Sequence, residues 1–263
     1  MNNPQTGFAP VNGLALYYEV HGSGEPLLML HGGIGASEQF GPNVAELAKT
    51  RQVIIAHMQG HGFTKDIERP YGYPQFAEDA AALLDYLHLG AVDVLGYSLG
   101  AGVAQRLAIQ HPDKVRKLIL VSGTMAYDGS YPEIVAAFPA MIEHAAQIAG
   151  GVAQSPLATM YPDVNWETAF RKTGTLESAH WDWSDEVGAI KAPALLVFAD
   201  ADSVKPEHIV AMYQKFGGFQ RDGGMDGSMR SPSRLAILPG TLHYNILETT
   251  AVARAVEGFL SAA

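Results

Sequence analysis

A serine flanked by glycines is the residue of this chain best suited to do chemistry. The segment 96–100 reads Gly-Tyr-Ser-Leu-Gly, directly after an apolar segment and before a helical pattern. A serine on such a strand-to-helix turn takes a strained backbone conformation, and the converging elements leave room only for small neighbours. The context therefore predicts that Ser98 is a nucleophile. Without that context, a glycine-rich structural turn would explain the motif equally well.

A serine hydroxyl needs a base to accept its proton and a carboxylate to hold that base in the correct tautomer. His243 follows the last apolar segment, in the motif Pro-Gly-Thr-Leu-His, and Asp202 follows the apolar segment before it. We expect these side chains to complete a catalytic triad with Ser98. Asp200 is the alternative acid, because the sequence there reads Ala-Asp-Ala-Asp.

A second glycine motif, Leu-His-Gly-Gly at 30–33, ends an earlier apolar segment. A tetrahedral acyl intermediate concentrates negative charge on one oxygen, which needs N–H donors already aimed at it. We expect the backbone amides of Gly33 and Leu99 to form this oxyanion hole. A turn that only terminates the strand is the alternative interpretation.

Three further histidines, His31, His57 and His61, could in principle collect around a metal ion. They lie on separate turns without the spacing of helical ligands, so we expect no metal site and favour structural or pocket-rim roles. The segment 222–227 has too few carboxylates for a calcium-binding loop. Acyl transfer at a serine requires no cofactor, and none is expected.

Short segments rich in Val, Ile and Leu alternate with helical patterns along the chain. This alternation predicts an α/β fold with a doubly wound, mostly parallel sheet. The segment 14–20 alternates in polarity and is expected to begin the sheet as an antiparallel edge, and Asp93 is the one misfit in the apolar segments. The predicted strands lie at 26–30, 52–56, 92–95, 117–121, 194–198 and 235–238, and the predicted helical faces lie near 74–87, 103–108, 209–216 and 252–259.

This alternation of strand and helix patterns is interrupted between residues 121 and 194. Apolar residues from 134 to 148 predict a helix, and pieces containing Pro, Trp and Tyr follow it. We expect residues 124–190 to form a helical cap inserted into a core of residues 1–123 and 191–263. The segment 217–233, rich in Gly and Ser, is expected to be a loop.

Apolar side chains of the cap, and residues next to the triad, are expected to line the substrate pocket. Such a lining favours a small, uncharged, hydrophobic acyl compound. For each cap residue, packing between the cap and the core is the alternative. The predicted substrate-binding residues are Tyr97, Leu242, Phe138, Met141, Trp181 and Trp183.

The order nucleophile, acid, histidine, together with the glycine motif at 31–33, resembles the α/β-hydrolase superfamily, in particular its capped, serine-nucleophile esterases and haloperoxidase-like hydrolases. The resemblance covers nearly the whole chain outside the cap, and Gly-His-Gly at 60–62 resembles the small-residue loop after that family's fourth strand. It implies a sheet of about eight strands with an inserted helical cap. The chain departs from the family at His57 and Gln59, where an acidic residue and an Arg are often found.

The resemblance implies a serine hydrolase that acts as a carboxylic ester hydrolase. A serine at the nucleophile position argues against the dehalogenase and epoxide hydrolase branches, whose nucleophile is a carboxylate. Carbon–carbon bond hydrolysis, lactone opening and perhydrolysis remain alternatives, as does a ligand-binding receptor with vestigial hydrolysis.

Composition narrows the classes of partner. Lys and Arg total 17 against 27 Asp and Glu, a net charge of −10, and this charge repels nucleic-acid phosphates and anionic lipids. The absence of cysteine excludes a thiolate nucleophile and disulfides. No apolar segment approaches the roughly 20 residues of a membrane span, and residues 1–10 do not resemble a secretory signal. We therefore expect a cytoplasmic protein with a small-molecule ester as partner and leave its oligomeric state open.

Overall fold

The computed structural model describes residues 3–261, so the predicted core residues 1–2 and 262–263 lie outside the described part. A single eight-stranded sheet organises this chain. Its strands are β1 (Gln5–Val11), β2 (Leu14–Gly22), β3 (Glu25–Leu30), β4 (Arg51–Ala56), β5 (Val92–Tyr97), β6 (Val115–Val121), β7 (Ala194–Ala201) and β8 (Arg234–Leu242).

The strands lie in the order β1-β2-β4-β3-β5-β6-β7-β8. In this order, every neighbouring pair from β4 onward is parallel, including both pairs of β3. Strand β2 is antiparallel to both of its neighbours. The α/β class and the mostly parallel sheet expected from the sequence are therefore confirmed.

Strand β1 corrects the predicted edge of the sheet. The segment 14–20 was expected at the edge, but β2 lies between β1 and β4. The sequence of β1 hides its strand character, because Gly7 and Pro10 are poor strand residues and its first four residues are not buried. Proline is tolerated at an edge because its missing N–H need not serve a second neighbour.

Helices cover both faces of the sheet, as the doubly wound fold requires. Buried residues of α2, α3 and α9 pack on one face, and those of α1 and α10 pack on the other. The α-helices of the described residues are α1 (Pro42–Leu47), α2 (Tyr73–Tyr86), α3 (Leu99–Gln110), α4 (Pro132–Glu143), α5 (Ala145–Val152), α6 (Pro156–Met160), α7 (Trp166–Ser178), α8 (Ser184–Val187), α9 (Pro206–Lys215) and α10 (Ala251–Leu260).

Helices α4 to α8 all lie between β6 and β7. The sequence predicted one helix from 134 to 148, but the structure divides it at His144, whose ψ of 16° interrupts the helical backbone. Helix α7 packs against both halves. The separation of a cap at 124–190 from a core stays a prediction. The segment 217–233 contains no helix or strand, as expected.

No helix within residues 3–261 is both long and apolar enough to cross a bilayer. The most buried apolar segments are instead the strands β3 to β7, which lie between the two helical layers.

Asp93, the charged misfit of the sequence pattern, is neutralised by a residue of the adjacent strand. Its side chain is 1% exposed and accepts two hydrogen bonds of 2.9 Å from the guanidinium of Arg116 on β6. Arg51 on β4 lies 3.7 Å away. A buried carboxylate is costly unless it is paired and hydrogen-bonded, so this bidentate contact is what allows a charge inside β5.

Replacing Asp93 by Ala should therefore lower the free energy of unfolding by about 3 kcal/mol, because it leaves Arg51 and Arg116 without their buried partner. Glu167→Ala removes the surface ion pair with Arg171 and serves as the control, with an expected loss below about 1 kcal/mol. Urea unfolding of both variants measures the difference. Equal stabilities would contradict the structural role given to Asp93.

Candidate active site

Ser98 occupies the single residue that joins β5 to α3. Its φ is 53° and its ψ is −118°, a backbone conformation that residues other than glycine rarely adopt. The tight turn is possible because both flanking glycines are in close contact: a Cβ on Gly96 would lie 2.1 Å from the Gly100 oxygen, and one on Gly100 would lie 2.1 Å from the Leu30 oxygen. The glycines predicted to be necessary are thus sterically required.

The structure brings together the three side chains predicted to form a triad. His243 Nε2 lies 3.1 Å from Ser98 Oγ, and His243 Nδ1 lies 2.9 Å from Asp202 Oδ1. A hydroxyl, an imidazole and a carboxylate in this order can pass a proton from the serine to the histidine. Their catalytic roles remain a prediction.

Asp202 is held as an anion by several donors. Its side chain is 1% exposed, and it accepts hydrogen bonds from Ser122 Oγ at 2.6 Å and from the amide of Ala199 at 2.9 Å. Burial raises the pKa of Asp202, but the hydrogen bonds and the charge of His243 together outweigh burial, so the net pKa lies below its ordinary value. The ionised carboxylate can therefore orient the imidazole.

Asp200, the alternative acid, does not contact His243. Its exposed carboxylate accepts hydrogen bonds from the backbone amides of Gly240 at 2.9 Å and Thr241 at 3.0 Å. These bonds hold the chain that leads to the histidine, and they lower the pKa of Asp200. The geometry favours Asp202 as the partner of the imidazole.

The two residues predicted to form the oxyanion hole border the same cavity as Ser98. Leu99 is the first residue of α3, so its N–H has no acceptor within the helix. A Cβ on Gly33 would approach Leu99 Cδ1 to 3.6 Å, which places the two motifs side by side. The arrangement agrees with an oxyanion hole, a role that stays a prediction.

The cavity above Ser98 has a volume of about 250 Å³. Two of the predicted substrate-binding residues, Phe138 and Met141, line it from α4. The volume is below the range of drug-sized ligand pockets, so the cavity suits a small molecule.

The other four predicted substrate-binding residues lie away from this cavity. Tyr97 is buried beneath the site and donates a hydrogen bond of 2.8 Å to the backbone oxygen of His243. Leu242, the last residue of β8, is 49% exposed. Trp181 and Trp183 stack on each other and pack against Tyr73, which makes them packing residues. The neighbours of the triad that line the cavity are instead Leu99, Ser203 and Tyr244, each of which follows a triad residue in the chain.

Sequence reasoning missed several residues of the site. Ser203 Oγ lies 2.8 Å from His243 Nδ1, and Ser122 binds Asp202. The position of Ser122 directly after β6 was a usable signal, because the carboxyl ends of parallel strands meet at one edge. No pattern pointed to Thr173 and Glu177 of α7, which also line the cavity.

The remaining histidines of the glycine motifs are buried and hydrogen-bonded. His31 accepts from the Met58 amide at 3.0 Å, and His57 lies 2.5 Å from Ser37 Oγ. Burial lowers the pKa of His31, and it lowers the pKa values of His57 and His61 to about 4, so these rings stay neutral. Within residues 3–261 no group of side chains is arranged to hold a metal ion.

Known proteins resemble this chain in sequence and in fold. The family described as alpha/beta hydrolase fold matches residues 25–148. A 2-hydroxymuconate semialdehyde hydrolase from Pseudomonas sp. (strain CF600) is 36% identical over 128 residues, which span 46% of this chain and 44% of that protein. The alignment thus covers less than half of that curated relative.

Solved structures match nearly the whole chain. An enol-lactonase from Burkholderia xenovorans LB400 superposes with a TM-score of 0.75 and 22% identity, covering 97% of this chain and 100% of the lactonase. A thermophilic esterase from Thermogutta terrifontis gives a TM-score of 0.75 and 19% identity, with 98% of each chain covered. At these identities the likeness establishes the fold. The chain therefore has the α/β-hydrolase fold, and residues 25–148 also match that family in sequence.

Proposed function

We propose that this protein is a serine hydrolase that cleaves small carboxylic esters through an acyl-enzyme on Ser98. The observation that carries the proposal is the hydrogen-bonded series from Ser98 through His243 to Asp202, whose serine and histidine line a cavity. Asp202 has the protonation state that the chemistry needs, because its hydrogen bonds and His243 hold its pKa below the ordinary value.

In the proposed reaction, His243 Nε2 accepts the proton of Ser98 as the serine oxygen bonds to the ester carbonyl carbon. The negative oxygen of the tetrahedral intermediate accepts hydrogen bonds from the amides of Gly33 and Leu99. His243 then gives its proton to the departing alkoxide. A water molecule, deprotonated by the same histidine, hydrolyses the acyl-enzyme to release the acid and restore Ser98.

The cavity supports a small, largely apolar acyl group. Ile134, Phe138 and Met141 of α4 face it, and its volume of about 250 Å³ leaves space for only a few non-hydrogen atoms beyond the ester. The helical segment between β6 and β7 would thus act as the cap that sets substrate size.

Carbon–carbon bond hydrolysis is the second candidate. A relative at 36% identity is named a 2-hydroxymuconate semialdehyde hydrolase, a name that states its substrate. By its name that substrate is a carboxylate. The described cavity lining of this chain includes no Lys or Arg and instead contains Glu177. A cavity of this charge repels an anionic substrate, which favours the neutral ester.

Replacing Ser98 by Ala should abolish ester hydrolysis, with a loss in kcat on the order of 10⁶ by analogy with other triad enzymes. A fluorophosphonate should label only Ser98, as located by peptide mapping. Ser228→Ala, in the exposed loop, is the matched control and should keep wild-type turnover and labelling. Full activity in the Ser98 variant would refute the proposed mechanism.

Asp202→Asn and Asp200→Asn distinguish the two acids by the same chemical change. The first should reduce kcat by about 10⁴, because an amide cannot hold His243 in the required tautomer. The second should stay within about threefold of wild type, since Asp200 contacts only backbone amides. The opposite ranking in steady-state assays would assign the acid to Asp200.

A further inference from the structure

Glu177 is a carboxyl group in the cavity that the proposed reaction does not use. It lies on α7, lines the cavity together with Ser98, and accepts a hydrogen bond of 2.9 Å from Tyr73 Oη. Among the described residues it has no other hydrogen bond and no ion pair. Its second carboxylate oxygen is therefore free to accept a donor.

Nothing in the described lining compensates a charge on Glu177. The lining contains no Lys or Arg, and the histidine of the site, His243, is already engaged with Ser98 and Asp202. Protein surrounds the carboxyl, and burial raises the pKa of Glu177 to about 7, although the hydrogen bond from Tyr73 acts in the opposite direction. A buried carboxylate without a counter-charge is a strong site for a cation or another hydrogen-bond donor.

Thr173 adds a second polar group one helical turn before Glu177. Its side chain is 3% exposed, its Oγ1 has no hydrogen-bond partner among the described residues, and it lines the same cavity. Positions four apart on a helix share a face, so both groups are presented together. A buried hydroxyl without a partner is unusual in folded proteins and is readily satisfied by a ligand.

We propose that Glu177 and Thr173 form a specificity site for a hydrogen-bond donor on the substrate, an ammonium or a hydroxyl group carried by an otherwise apolar chain. Glu177 Oε2 accepts the donor, and Tyr73 keeps the carboxyl in place through Oε1. Burial raises the pKa of Tyr73, so its phenol stays protonated and donates. Thr173 Oγ1 supplies a second acceptor. This inference rests on the proposed function only in taking the cavity as the substrate site.

Binding measured without turnover tests the specificity site. The protein used is the Ser98→Ala variant, and the probes are short straight-chain amides that end in a methyl, a hydroxyl or an ammonium group, titrated calorimetrically at pH 8. At the chain length that reaches Glu177, the ammonium amide should bind about tenfold or more tightly than the methyl amide, because hydrogen bonds to a charged group are strong. If the hydroxyl amide binds more tightly than both other amides, the substrate group is a neutral hydrogen-bond donor.

Adding Glu177→Gln should remove most of this tenfold preference and leave the affinity for the methyl amide within about twofold. Glu167→Gln makes the same change on the exposed side of α7 and should keep the preference. Tightest binding by the methyl amide at every length, or a preference that survives Glu177→Gln, would overturn the proposal. These amides need no nucleophile, so the result is independent of whether Ser98 carries the reaction.

Melting temperature gives a second measurement of the uncompensated carboxylate. The titratable groups that line the cavity with Glu177 are Tyr73, which donates to it, His243 and Tyr244. Because the folded pKa of Glu177 is raised to about 7, its ionisation costs stability as the pH rises from the unfolded pKa through that value. The melting temperature of Glu177→Gln minus that of wild type should therefore be larger at pH 8 than at pH 5, by on the order of 3 °C. Glu167→Gln should show no such increase with pH. If Glu177→Gln also shows no increase, the electrostatic basis of the proposal is removed.

Discussion

The close approach of α3 to the end of β3 is the constraint on which the rest of the site depends. A Cβ at Gly100 would lie 2.1 Å from the Leu30 carbonyl oxygen, so the helix meets the strand at a distance that only glycine allows. The chain must therefore turn from β5 into α3 within one residue, and Ser98 takes a positive φ. The same contact brings the first amide of α3 to the cavity.

The other groups of the site follow from the parallel sheet. Strands β5, β6, β7 and β8 are neighbours, and each ends at the same edge of the sheet. Ser98, Ser122, Asp202 and His243 come from the ends of these strands or just beyond them, in that order. Hydrogen bonds then link serine to histidine, histidine to Asp202, and Asp202 to Ser122. Parallel strand order thus brings residues that are far apart in the chain to one edge of the sheet.

Three carboxyls illustrate how surroundings set the role of the same chemical group. Asp93 is paired with a guanidinium and serves the stability of the sheet. Asp202 has no Arg or Lys partner but accepts enough hydrogen bonds to stay ionised beside His243. Glu177 has one hydrogen bond and no counter-charge, and its pKa rises. The first is structural, the second is suited to orient a base, and the third is suited to receive a ligand.

The amino-acid sequence by itself determined the fold class, seven of the eight strands, and the convergence of Ser98 and His243 with an acid at position 200 or 202. Hydrophobic period and glycine spacing are local signals, and parallel strands bring the residues at their ends to one edge of the sheet. It missed β1, whose Gly and Pro conceal its pairing, and it expected Tyr97 and Leu242 in the cavity lining. Chain adjacency to a triad member does not fix side-chain direction, since Leu99, Ser203 and Tyr244 line the cavity and Tyr97 and Leu242 do not. Only the tertiary structure decided that Asp202 and not Asp200 meets His243, and that α7 directs Thr173 and Glu177 into the cavity. Those outcomes depend on side-chain direction and on packing between distant helices, which no local pattern encodes.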